Sequence, residues 1–196
     1  MKKILVALGG LLLLAFILYR FFAGFYNTGI VYQENAKTAW SKVESAYQRR
    51  ADLIPNLVNT VKGYAAHEKG TLEAVVKARA AATQTRIDPA NITPEQLAKF
   101  QQAQQGLSGA LSRLLVTVEK YPELKADQHF SELQSQLEGT ENRIKVERDR
   151  YNDAVNKYNI YIRKFPGNIL AGMFGFKPMA RFQSDKGAEK APKVQF

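Results

Sequence analysis

The chain has 196 residues, 45% of them hydrophobic and 23% charged, with no cysteine and a formal net charge of +10. That length suits one domain with a real core, the hydrophobic share excludes a disordered chain, and the missing thiols exclude disulfides, thiolate metal sites and cysteine nucleophiles. The positive charge does not describe a nucleic-acid binder: Met1 to Tyr26 holds three basic and no acidic residues, Pro166 to Phe196 five and two, and the segment between them 20 and 16. A stripe that tracks phosphates belongs on the folded body, whereas basic ends suit an anionic lipid surface.

Lys2 and Lys3 precede an uncharged run from Ile4 to Leu18, followed by Tyr19, Arg20 and Phe21-Phe22-Ala23-Gly24-Phe25. Ile4 to Phe25 makes about 33 Å of helix, enough to cross the hydrocarbon of a bilayer. Arg20 lies near the end, where its stem lets the guanidinium reach the headgroups, and Tyr19, Phe21, Phe22, Phe25 and Tyr26 resemble an interfacial aromatic belt. The bulky residues from Phe21 to Tyr26 offer no small-residue cleavage site, so the segment reads as a retained single-pass anchor rather than a removed signal. A short tail carrying Lys2 and Lys3 favours a cytoplasmic amino terminus and an extracytoplasmic domain, against the opposing pull of Arg20, Lys37 and Lys42.

From Ala36 the apolar positions step by three and four: Ala36, Trp40, Val43, Tyr47, then Ile54, Leu57, Val61, Tyr64, then Leu72, Val75 and Arg79. This is the seam of a helix packed on other helices, and its continuation places Arg50 on it. Asp52 is a suitable N-cap and Pro55 belongs in a first turn, so the sequence predicts a helix break at Ala51–Asp52, with one long helix kinked at Pro55 as the alternative. Length matching favours the break, because Asn27–Ala51, Leu53–Arg86, Pro94–Lys120 and Asp127–Phe165 are comparable rods, as an up-and-down bundle wants.

Residues 87–95 form a loop with two prolines, in which Thr93 can cap a helix that begins at Pro94. That helix has the seam Leu97, Phe100, Gln104, Leu107, Leu111, Leu114, Val118 and Tyr121, and Pro122 should end it. The last long pattern reads Phe130, Leu133, Leu137, Glu141, Ile144, Arg148, Tyr151, Val155, Tyr158, Ile162 and Phe165, stopping at Pro166-Gly167. Tyr151-Asn152 and Tyr158-Asn159 lie seven apart and so share a face. Beyond them, Ile169, Leu170, Met173, Phe174 and Phe176 make a short apolar patch, either a lid on the bundle or a foot on the bilayer. The expected class is all-α, an N-terminal transmembrane helix followed by an antiparallel up-and-down bundle of three to four long helices. The expected divisions are an anchor over 1–26, a bundle over 27–176 and a flexible basic tail over 177–196.

No residue set resembles a reaction centre, so no catalytic, metal or cofactor-binding residue is expected. His67-Glu68 lacks a second histidine four residues on, Thr71 standing there, and His129 is alone. Asp149 and Asp153 are neighbours on one helix face and suit solvent. The aromatics suit core packing better than a nucleic-acid stacking surface. More informative are the charges on the seams. Arg50, Glu68, Glu141 and Arg148 fall where burial is expected, and buried charges need partners, so an internal network that includes Gln104 is favoured over a polar groove for a ligand. Arg49, Arg50, Asp52 and Pro55 should form the junction that turns the chain into the bundle, with Arg143 beside it.

Several runs carry a family likeness: Tyr47-Gln48-Arg49-Arg50, Asp52-Leu53-Ile54-Pro55-Asn56-Leu57-Val58, Val61-Lys62-Gly63-Tyr64-Ala65 with His67-Glu68, Leu137-Glu138-Gly139-Thr140-Glu141-Asn142-Arg143-Ile144, and Tyr151-Asn152 before Phe165-Pro166. Together they resemble the LemA family of bacterial membrane-anchored proteins, from Met1 to about Phe176. The resemblance implies one N-terminal membrane helix, an all-helical bundle, the bacterial cytoplasmic membrane and the cell envelope. It also implies association in some members with a membrane zinc protease, and kinship of one branch with proteins that build magnetosome membranes. The expected function is a non-enzymatic scaffold or membrane organiser acting by self-assembly or partner binding, with an adaptor for a membrane zinc protease as the alternative. Its expected partners are membrane lipid, further copies of itself as a homo-oligomer and a membrane protein, but no nucleic acid.

Overall fold

The structure is a computed structural model that describes residues 2–89 and 91–183. It is all-helical: α1 (Lys2–Tyr64), α2 (Lys69–Gln84), α3 (Pro94–Val118), α4 (Pro122–Lys125), α5 (Gln128–Arg163) and α6 (Gly167–Phe174). The first 63-residue helix is about 95 Å long. Its apolar beginning is uncovered, with Leu11 64% and Phe16 60% exposed, and among the described residues it is the one helix long and apolar enough to cross a membrane.

The expected break at Ala51–Asp52 is absent. Ala36, Trp40, Val43, Tyr47, Arg50, Ile54, Leu57 and Val61 are all buried on one unbroken helix. Their alternating steps of four and three run through the expected junction without a change of phase, so one face stays turned to the core. Asp52 caps nothing; it lies exposed in mid-helix, where its Oδ1 accepts from Gln48 Nε2 at 2.7 Å. Pro55 is internal rather than in a first turn. Lacking an N–H, it orphans the Ala51 carbonyl four residues earlier, and Arg79 Nε, from α2, donates to that carbonyl at 2.7 Å. A borrowed donor thus replaces the missing rung of the helix. The chain reverses instead at 65–68, where Glu68 N–H donates to the Ala65 carbonyl, so the expected Leu53–Arg86 rod divides between α1 and α2.

Other boundaries follow their local chemistry. Thr93 Oγ1 accepts from Gln96 N–H while the Gln96 side chain accepts from Thr93 N–H, a reciprocal capping box with Pro94 in the first turn. Asp127 accepts from Phe130 N–H at 2.8 Å and starts α5. Pro122, expected only to end a helix, opens the short α4.

Antiparallel α1 and α5 form the long pair, and α2 and α3 pack as a hairpin on the half of α1 remote from its apolar end. The core divides accordingly. A distal cluster gathers Ile54, Leu57, Val75, Leu107, Leu114 and Leu124. A proximal cluster gathers Trp40, Val43, Tyr151, Val155, Tyr158 and Phe182 around stacked and edge-to-face rings.

The open end of the α2–α3 hairpin gives Ile87, Ile92, Leu97 and Phe100 to the proximal cluster, and an extended segment covers the core beside them. Phe176, Met179 and Phe182 are buried, so the expected flexible tail over 177–196 begins too early, and 177–183 is a packed strap. The remainder of that tail, 184–196, lies outside the described residues. The Tyr-Asn repeat holds the strap. Asn159 Nδ2 donates to the Met179 carbonyl and its Oδ1 accepts from Met179 N–H, both at 2.9 Å. Asn152 grips Phe182 in the same two-pronged way at 3.2 and 2.8 Å. Seven residues of helix advance about 10.5 Å and three residues of extended chain about 9–10 Å, so the two clamps match the two strap residues in pitch. Tyr151 Oη adds a bond to the Ala180 carbonyl at 2.8 Å.

Candidate functional site

The two apolar clusters are separated by a polar layer built on Arg50. This side chain is 1% exposed in mid-α1. Its Nη1 donates to Ser108 Oγ at 2.9 Å and to Glu141 Oε1, and its Nη2 donates to Gln104 Oε1 at 2.6 Å. Gln104 passes the connection on, its Nε2 donating to the Ala82 carbonyl near the end of α2 at 3.3 Å. One guanidinium therefore joins α1, α3 and α5 directly and α2 through an amide. Arg suits this position because its planar fork supplies several fixed donors and stays charged when buried, and it also lies 5.1 Å from the centre of the Tyr47 ring. Its partner Glu141 is half exposed and keeps part of its hydration, which lowers the cost of a charge pair at this depth.

The α5 seam differs from its expected register. Thr140 and Glu147 are buried, whereas Glu141 and Arg148, expected there, lie one position further round. Glu147 is the residue that sequence reasoning missed. It is 1% exposed, and its Oε1 accepts from Arg143 Nε at 2.8 Å and Arg150 Nη1 at 2.9 Å. The arginines at i−4 and i+3 were the available signal, since both reach the same spot on a helix face. Arg148 instead lies over the Phe182 ring at 4.7 Å and donates to the Gln183 carbonyl at 3.3 Å, which fixes the end of the strap.

The remaining expected residues are distributed. Arg49 and Asp52 are exposed on α1, and Pro55 faces solvent while acting through its missing donor. Glu68 belongs to a separate contact at the far end, where it accepts from Tyr121 Oη at 3.1 Å. Lys2, Lys3, Arg20 and Phe21 are exposed on the apolar part of α1. Phe22 packs edge-on to Phe21, and Phe25 stacks on Tyr161, so Phe25 is already part of the bundle.

An open groove of about 1360 Å3 runs beside the polar layer, with Lys42, Glu44, Arg49, Arg86, Gln104 and Arg143 on its walls. Burial pushes the Glu44 carboxyl above its ordinary range, opposed by the Trp40 indole and the Arg86 charge. Among the described residues, no three metal-capable side chains converge.

Fold and layer together define a class: an all-helical bundle with a buried arginine tie, continuous with an apolar N-terminal helix long enough to span a membrane. The chain belongs to the LemA family, whose profile matches residues 39–196. It is 31% identical over 184 residues to "Magnetosome protein MamQ 1" of Paramagnetospirillum magneticum, a match that covers 85% of this chain and 67% of that protein. It is 28% identical over 207 residues to "Magnetosome protein MamQ" of Magnetospirillum gryphiswaldense, covering 97% and 75%.

Proposed function

We propose that the protein is a non-enzymatic, single-pass scaffold of the bacterial cytoplasmic membrane that organises the envelope by self-assembly or by holding a membrane-protein partner. The observation that carries this is the continuity of α1. One helix supplies both the apolar segment and the first rod of the bundle, so the domain is held rigidly at the membrane instead of being tethered by a linker. The polar layer fits a structural role, because both terminal nitrogens of Arg50 are bonded within it and tie the helices in register. The groove beside it offers a mixed-charge wall for a protein surface. Relatives that carry a magnetosome name support a membrane-organising role by likeness.

The test is the full-length chain purified in mild detergent and imaged by electron microscopy, with its mass measured by light scattering. Ordered oligomers or a stoichiometric membrane-protein partner are expected. A monodisperse monomer that brings no partner would overturn the proposal. On this proposal the amino terminus is cytoplasmic and the bundle outside, a reading that Lys2 and Lys3 support. A reporter fused after Phe196 that is active only in the cytoplasm would reverse that orientation.

A further inference from the structure

The α6 helix is apolar on both faces, which a soluble bundle does not require. Its inner residues Gly167, Leu170 and Ala171 are buried against the rest of the molecule. Its outer side carries Ile169, 58% exposed, and Met173, 68% exposed, and Phe165, just before the helix, is 81% exposed. Ile169 and Met173 are four apart on the helix and share a face, and with Phe165 just before it they put three large apolar side chains on the surface at this end of the molecule.

The place of α6 in the fold says what lies opposite. Its first residue is so close to α1 that a Cβ on Gly167 would stand 3.0 Å from Phe25 Cε2, and its last residue, Phe174, has its ring 6.2 Å from that of Phe25. The helix is about 12 Å long. Both ends of α6 therefore lie beside Phe25 of α1. If α1 stands across a bilayer, α6 lies at the level where the apolar run from Ile4 to Phe25 ends. Charge agrees with this. From Asp153 to Asp185 no acidic residue intervenes, whereas Arg163, Lys164 and Lys177 flank the helix, and on α1 Arg20 is followed by no acid until Glu34. The end of the molecule that meets the headgroups is therefore purely basic.

We infer that α6 is an interfacial foot: Phe165, Ile169 and Met173 insert into the outer part of the same bilayer that α1 enters, and Arg163, Lys164 and Lys177 meet anionic headgroups. The inference extends the proposed function by giving the domain a second membrane contact, and it rests on the insertion of α1. Two points of attachment fix the rotation of α1 about its own axis, which a lone span leaves free.

The chain has no cysteine, so single labels are unambiguous. The full-length protein, carrying a spin label at one of F165C, I169C or M173C, is reconstituted in vesicles of phosphatidylcholine and phosphatidylglycerol. L11C reports the span and D153C the water-exposed body. The foot is supported when the three α6 labels relax faster with oxygen than with a water-soluble nickel chelate, as L11C does and D153C does not. Nickel access at α6 equal to that of D153C, with L11C shielded, overturns the foot alone. Nickel access at L11C overturns the anchor and the foot together. Shielding of α6 from both reagents, with dipolar broadening between labels, assigns the stripe to a second copy of the chain and overturns the lipid contact.

Discussion

If Arg79 stands in for the hydrogen-bond donor that Pro55 lacks, the two residues must be thermodynamically coupled across the 28 positions between Ala51 and Arg79. Replacing Arg79 with Met keeps most of its apolar stem on α1 but leaves the Ala51 carbonyl unpaired. A hydrogen bond from a charged donor is worth about 1.5–3 kcal/mol, and Arg79 is only partly buried, so a loss of about 1.5 kcal/mol is expected. In a Pro55→Ala background the returned N–H bonds the Ala51 carbonyl within the helix. Arg79→Met should then cost less than about 0.5 kcal/mol, a coupling of about 1 kcal/mol. Pro55→Ala alone should stabilise the chain, by up to about 3 kcal/mol if the helix relaxes fully. Urea titration of the four variants in detergent measures all of this, with the single tryptophan, Trp40, as a fully buried reporter. Equal costs of Arg79→Met in both backgrounds would show that the contact to Ala51 is incidental.

Arg50→Met should lower stability by about 2–4 kcal/mol, because Gln104, Ser108 and Glu141 lose a shared donor; an unchanged melting temperature would refute a structural role for the layer. Asn152→Ala and Asn159→Ala each remove two bonds to the strap and should each cost about 1–3 kcal/mol; together they should open 177–183 to limited proteolysis while α5 stays resistant. The bond from Phe130 N–H and that from Tyr64 Oη hold the Asp127 carboxyl below its ordinary range. Its contribution is present above the usual carboxylate range and is lost as the pH falls through the folded value, so Asp127→Ala should destabilise the protein at neutral pH and make little difference in strong acid.

The seam of α1 was legible from Ala36 to Val61, including Arg50, because a charge every other feature places on an apolar line must face the core. The unbroken phase of that seam already contained the evidence for one helix. Asp52 and Pro55 outvoted it because start signals are local, whereas the group that satisfies Ala51 stands on another helix. On α5 the alternatives Glu141/Arg148 and Thr140/Glu147 both fit a seven-residue repeat, and only contacts with α1 choose between them. The strap escaped notice for a different reason. Its buried residues, Phe176, Met179 and Phe182, recur every third position, a spacing that neither strand nor helix periodicity detects. The Tyr-Asn repeat was visible as a shared face, but what it grips was not.

The uninterrupted run of α1 from its apolar start to Tyr64 makes the helix a lever. From Phe25 to Tyr64 it extends about 58 Å, so a tilt of about ten degrees in its apolar end carries the far tip sideways by about 10 Å. Helices longer than the local hydrocarbon thickness respond to thinning by tilting. With the apolar end in a bilayer, a small change of tilt would therefore be felt most at the far tip, where α4 and the turn at 65–68 present their surfaces.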